Sequence, residues 1–178
     1  PGIEVKPLAG LLGLRALRPA TLHFHDVLLE PHGFLSRSQT LATALERLWA
    51  EEGLLIAARA VGLAAASFDY ALRYAEQRTA FGKPIGHFQS MAFLLSELWM
   101  QLEAARQLVR YAACCEEKDE APLLMHLARA QADEMASFVC EQAVQILGGH
   151  GYMEDHPVEQ WMRDAKTLAL VWGSKEQS

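Results

Sequence analysis

The chain has 178 residues, 51% of them hydrophobic, which is enough for one well-filled core and part of a second. Lys and Arg number 16 against 22 Asp and Glu, a formal net charge of −6. With no dense basic run, this argues against nucleic acid and anionic membrane as partners. No apolar stretch reaches the ~18 residues of a membrane span, because the longest, "GLLIAARAVGLAAASF", carries Arg59.

The N-terminus, "PGIEVKPLAG", has no initiator Met and no charged start followed by an apolar run. It reads as a processed or truncated piece without a signal peptide. Residues 20 to 29, "ATLHFHDVLL", alternate early, with Leu22, Phe24 and then Val27 apolar, and lead into Pro31-His32-Gly33. That is a strand and a turn. The preceding "PGIEVKPLAGLLGLRALRP" has room for a second short strand. Two strands make no independent sheet, so residues 1–35 read as the remnant of a β domain. His23 and His25 would share a strand face, but no third or fourth ligand is in sight, so no metal site is expected.

From about Gln39 the spacing becomes helical. A first helix is predicted over 39–76, about 55 Å long at ~1.5 Å per residue. Its inward residues would be Leu41, Leu45, Leu48, Leu55, Ala58, Gly62, Ala65, Phe68 and Leu72. "QRTAFGKPIG" breaks it. A second helix is predicted over 88–117, with Met91, Leu94, Leu95, Leu98, Leu102, Leu108 and Val109 inward. "KDEAP" separates it from a third that carries Pro122 in its first turn and ends at Leu147. Leu124, Leu127, Gln131, Met135, Phe138 and Ile146 would face inward there. A fourth runs from about Pro157 to Val171. Residues 36–178 thus read as a mainly α domain, an antiparallel four-helix bundle with a short β remnant before it. Cys114 and Cys115 are adjacent and Cys140 stands alone, a pattern of free, mostly buried thiols.

Two loops ask for more than a bundle. "YAEQRTAFGKPIGHFQ" places Arg78, Phe81, Gly82 and Gln89 at one connection. "QILGGHGYMEDHPVEQWMRDAK" spends Gly148, Gly149 and Gly151 within four positions, and each glycine costs roughly 1 kcal/mol relative to alanine in a helix. A helix end needs only one of them. The two stretches resemble the signature regions R-x-x-F-G-x-x-I-x-x-x-Q and Q-x-x-G-G-x-G-Y … P-x-E-x-x-x-R-D-A-K of the C-terminal helical domain of acyl-CoA dehydrogenases. "GLRALRPATLHFHDVLLEP" is similar to the last strands of that family's middle β domain. The family's N-terminal helical domain and most of its β domain have no counterpart here.

The resemblance implies FAD as cofactor. Arg78 would fork onto the FAD pyrophosphate across a subunit interface, with Phe81 and Gln89 beside it. Gln145, Gly148 and Gly149 would lie along the adenine–pyrophosphate half, where a Cβ would obstruct. Arg163 and Asp164 would form a buried, mainly structural ion pair. His150 occupies a position the family leaves variable and reads as a surface contact to FAD or solvent. The chain end "LVWGSKEQS" resembles the family's E-G-T-x-x-x-Q segment, with Ser174 and Glu176 matching its FAD-touching part. The position of the family's usual catalytic Glu is Trp172, and an indole cannot accept a proton. Members with the base on the first helix of this domain align it with Glu52, although the Arg that usually follows is Gly53 here. The substrate would be an acyl-CoA, oxidised to its 2,3-enoyl-CoA, with an electron-transferring flavoprotein as acceptor. The assembly would be a homodimer or dimer of dimers, in the cytoplasm or, in a eukaryote, the mitochondrial matrix, with this piece alone inactive. Trp172 and Gly53 also suit a catalytically silent subunit that completes an FAD site in a hetero-oligomer. A flavin oxygenase or oxidase on the same scaffold, or a bare helical interaction domain, are further alternatives.

Overall fold

The computed structural model describes residues 2–28, 30, 41–115 and 120–170. The Pro31–Gly33 turn, the 35/36 domain boundary and the C-terminal residues Trp172, Ser174 and Glu176 lie outside them. Strands β1 (Ile3–Pro7) and β2 (Ala20–Phe24) pair antiparallel, with Ile3 opposite Phe24 and Pro7 opposite Ala20. This two-stranded ribbon leaves Ile3, Val5, Leu22 and Phe24 exposed.

Four helices follow: α1 (Leu41–Gln77), α2 (Gln89–Cys114), α3 (Ala121–Leu147) and α4 (Val158–Leu170). They form the expected antiparallel bundle, and Pro122 sits in the first turn of α3. The buried residues of α2 are Leu95, Leu98, Leu102, Ala105, Val109 and Ala112, alternating steps of three and four. That is the spacing of a helix seam packed along a near-parallel neighbour. In α3 the same spacing runs through Met125, Ala128, Ala132, Met135 and Val139.

The inward face of α1 departs from the prediction. Leu45, Leu48, Leu55, Ala58 and Gly62 are exposed, and the buried residues are Ala50, Gly53, Ala57, Ala60, Ala64, Ser67, Ala71 and Ala75, with Ile56, Val61 and Phe68 beside them. On α3, Leu127 and Gln131 are likewise exposed. The reason is close approach: α1 packs chiefly on α3, and alanines on both helices bring the backbones together, so the larger leucines are turned away. The alanines also amend the membrane expectation. By length and composition alone, Thr43–Gln77 is apolar enough to cross a membrane, but much of that apolarity is alanine packed in the core. The three cysteines are free; Cys115 and Cys140 are buried and Cys114 is exposed. Burial pushes the Cys140 thiol up to about 11, so it stays neutral.

The ribbon is clasped to the bundle by α4. The Leu14 backbone N–H donates to Asp164 Oδ1 at 2.5 Å, and the Arg163 guanidinium donates to the Leu12 carbonyl. Contrary to what the resemblance implied, Arg163 and Asp164 are therefore not paired with each other. Adjacent residues on a helix diverge by about 100°, and Arg163 instead pairs with Glu159, one turn earlier, at 2.8 Å. This pairing, with its hydrogen bond, holds Glu159 below the usual carboxylate range. Gly13 lies flat on α4, and an added Cβ would run into the Arg163 carbonyl oxygen and Thr167 Oγ1. Gly13→Val should accordingly destabilise the protein by about 1–3 kcal/mol through overpacking, seen as a lower midpoint in urea unfolding. An unchanged midpoint would mean that the ribbon is not seated on α4.

Candidate functional site

The chain leaves α1 through a tight hairpin. Strand β3 (Thr79–Ala80) pairs with β4 (Lys83–Pro84), with Ala80 opposite Lys83. Both tip residues have positive φ, 50° at Phe81 and 82° at Gly82, the mirror-image turn that two-residue hairpins favour. Glycine adopts this freely, whereas a phenylalanine is held there at a cost on the order of 1–3 kcal/mol. The Phe81 ring is 97% exposed and meets Phe88 edge-on at 6.3 Å, and Lys83 Nζ lies 4.4 Å above the Phe88 ring. Just before the hairpin, the Arg78 backbone is pinned on both sides. Its N–H donates to the Tyr74 carbonyl, and its carbonyl accepts from the Ile85 N–H, each at 2.8 Å. The Arg78 side chain is exposed and has no acidic partner among the described residues.

The three glycines at the end of α3 do three different jobs. Gly148 turns the chain at φ 57° and donates its N–H to the Gln145 carbonyl, closing the helix. Gly151 is buried, and an added Cβ would lie 2.5 Å from the Val144 carbonyl oxygen. Gly149 has neither constraint: its φ is not positive and an added Cβ would meet nothing within 4 Å. Its bare backbone faces open space. That space belongs to a cleft of about 370 Å³, where Arg78 and Ile85 from the first loop meet Gly148, Gly149 and His150 from the second.

Tyr74 and His150, which line the cleft, belong to a ring cluster. The Tyr74 hydroxyl bonds His150 Nδ1, and the Tyr70 hydroxyl bonds His156 Nδ1, each at 2.8 Å. The two imidazoles stack with centroids 5.4 Å apart and planes 14° apart. Tyr70 in turn meets Trp161 of α4 edge-on at 5.9 Å. The sequence reading singled out His150 and overlooked the tyrosines. Their signal was available: Tyr70 and Tyr74 are spaced by four on one face of α1, and Arg78, four residues on, follows its end.

Of the other expected site residues, Gln145 is exposed in the last turn of α3, Gln89 is exposed at the start of α2, and Phe81 sits at the hairpin tip. None of these three lines the cleft. Glu52 is half-buried on α1 with no ion pair among the described residues, whereas Glu51 is engaged by Arg47 at 2.8 Å. Glu52 and Arg78 are far apart: from Glu52 to Gln77, the end of α1, is about 38 Å at ~1.5 Å per residue, and Arg78 follows directly. Among the described residues, no group of three or more His, Cys, Asp or Glu is placed to hold a metal ion.

Chemically, the cleft pairs an unopposed guanidinium with glycine backbone that can approach a ligand closely. Both features fit a phosphate-bearing dinucleotide such as FAD. The family model for the acyl-CoA dehydrogenase C-terminal domain matches residues 41–177. The chain is 35% identical to the short-chain specific acyl-CoA dehydrogenase of Megasphaera elsdenii, covering 99% of this chain and 46% of that protein. It is also 35% identical to the mitochondrial short-chain specific enzyme of Mus musculus, covering 99% and 43%. The solved structure of butyryl-CoA dehydrogenase from Megasphaera elsdenii superposes with a TM-score of 0.93 at 34% identity, over 99% of this chain and 46% of that one. The chain thus spans just under half the length of these relatives. With both signature loops meeting in one cleft on a matching bundle, the chain belongs to the acyl-CoA dehydrogenase family and carries its C-terminal helical domain.

Proposed function

We propose that this chain is the C-terminal part of an FAD-dependent acyl-CoA dehydrogenase, which converts an acyl-CoA thioester to its 2,3-enoyl-CoA. The observation that carries the reading is the convergence of Arg78, Gly148 and Gly149 on one cleft, with Gly149 left bare for no reason internal to the chain. Arg78 would hold the FAD pyrophosphate there, with Gln145 alongside, and Phe81 and Gln89 would reach the same cofactor from the hairpin and the start of α2. Bound FAD would supply the hydride acceptor. Glu52 would take the α proton of the substrate, while Ser174 and Glu176 would complete the flavin surroundings.

The distance along α1 supports a reading in which the two ends of that helix serve different cofactor molecules. Glu52 would work over the flavin of its own subunit, and Arg78 would hold the FAD of a neighbour. This reading requires at least a homodimer. The exposed Phe93, Trp99 and Met100 of α2 offer apolar surface for such an assembly. An electron-transferring flavoprotein would remove the electrons.

The test uses the full-length protein. It should purify with flavin absorbance, sediment as a dimer or larger, and bleach when mixed with an acyl-CoA. Butyryl-CoA, named for the solved relative, is the first to try. Bound flavin that no acyl-CoA bleaches would instead establish the silent-subunit reading that Trp172 and Gly53 suggest. A monomer without flavin would overturn both.

A further inference from the structure

The cleft has an electrostatic problem that Arg78 alone does not solve. Both α1, ending at Gln77, and α3, ending at Leu147, bring their C-terminal ends to it. Those ends carry partial negative charge and unsatisfied carbonyls, which repel an anion. A pyrophosphate bears two negative charges, so a second cation would strengthen its binding. Besides Arg78, the residue lining the cleft that can carry positive charge is His150.

His150 is built to present one nitrogen. Its Nδ1 is held by Tyr74, so Nε2 is left without a protein partner among the described residues. A tyrosine hydroxyl both donates and accepts. Tyr74 can therefore donate to the neutral ring or accept from the protonated one, keeping His150 in the same orientation in either state. The stacked His156, anchored by Tyr70, stiffens the arrangement from behind. The titratable groups in contact with the pair are Tyr70 and Tyr74 from α1; Arg78, just past α1, lines the cleft with His150, and Glu154 and Asp155 directly precede His156 in the loop. On α3 and α4, Glu159 is paired with Arg163, Glu141 with Lys166, and Asp164 accepts from the Leu14 N–H.

We propose that His150, held by Tyr74 and backed by His156, is the second anion-binding residue of the cleft and takes up one proton as the FAD pyrophosphate binds. The inference rests on the reading of the cleft as an FAD site. Binding that consumes one proton tightens as pH falls, by at most tenfold per pH unit, over the range in which imidazoles change charge.

The experiment is FAD titration of the flavin-free full-length protein, followed by flavin fluorescence at pH values of about 6 and 8. The parent should bind about tenfold more tightly at the lower pH. His150→Gln should lose that difference and bind at both pH values as the parent does at the higher one. His150→Lys, cationic throughout, should restore tight binding at the higher pH, which a merely structural role for His150 would not produce. His150→Gln with the parent's pH dependence, or His150→Lys no tighter than His150→Gln, would overturn the proposal. Arg78→Ala separates the two levels of the reading. If it binds FAD like the parent, the cleft is not the pyrophosphate site and both readings fall. If it weakens binding equally at both pH values while His150→Gln keeps the parent's pH dependence, only the role of His150 falls.

Discussion

Replacing Glu52 by glutamine should slow flavin reduction by an acyl-CoA about 10²–10⁴-fold, the usual contribution of a positioned general base, while leaving FAD bound. Glutamine has the same shape but cannot take the α proton. The expectation follows from elimination as much as from position. By the resemblance, Trp172 stands in the place of the family's common base, and an indole has no basic atom. Glu51, next along α1, is committed to Arg47 at 2.8 Å, and one residue of helix turns it about 100° from Glu52. Glu51→Gln should therefore reduce flavin at close to the parent rate. The family's usual arginine after this Glu is absent, and Gly53 is buried instead, continuing the small-residue seam of α1. In the proposed role Glu52 would work without a guanidinium directly after it in the chain. If stopped-flow traces of Glu52→Gln match the parent, the base lies elsewhere.

Arg78→Ala should weaken FAD retention by about 2–3 kcal/mol, roughly 30- to 150-fold, the scale of a lost charge-assisted hydrogen bond. The arginine has no acidic partner among the described residues, so its removal leaves no counter-charge stranded inside the protein. The loss should appear in cofactor binding and not in folding. Equilibrium dialysis would show it as flavin lost from Arg78→Ala but kept by the parent. Arg78→Lys should recover only part of the affinity, because an ammonium cannot fork onto two phosphate oxygens. Full flavin content in Arg78→Ala would remove the role assigned to this residue.

Helix positions, the ribbon before them and both loops were legible in the sequence because glycine, proline and leucine punctuate it clearly. The buried face of α1 was not. Inward residues were sought among the leucines, but Ala57, Ala60, Ala64 and Ala71 carry the seam, and an alanine is weak evidence of burial until its neighbour is known. Arg163 and Asp164 were misread for a different reason. The motif names them side by side, while the helix sends them apart, one to Leu12 and the other to Leu14. The glycine loop was half legible. Gly148 was recognisable as a helix end, but separating Gly151, wedged on Val144, from Gly149, which touches nothing, requires the third dimension. The pairing of His150 with Tyr74 joins residues 76 apart and could not be read from either segment alone.

The clasp between the ribbon and α4 also orders how the molecule comes together. Its two hydrogen bonds join residues 150 and 151 positions apart. Closing so long a loop costs about 3 kcal/mol more chain entropy than closing a single helical turn. The helices can form from local contacts and dock through short connections, whereas the ribbon must wait until α4, the last of the described helices, is in place. It is then the last part to arrive and the first to leave. Its detachment would open one end of the bundle while the alanine seam between α1 and α3 stays closed, making the ribbon and the helical core separate units of local unfolding.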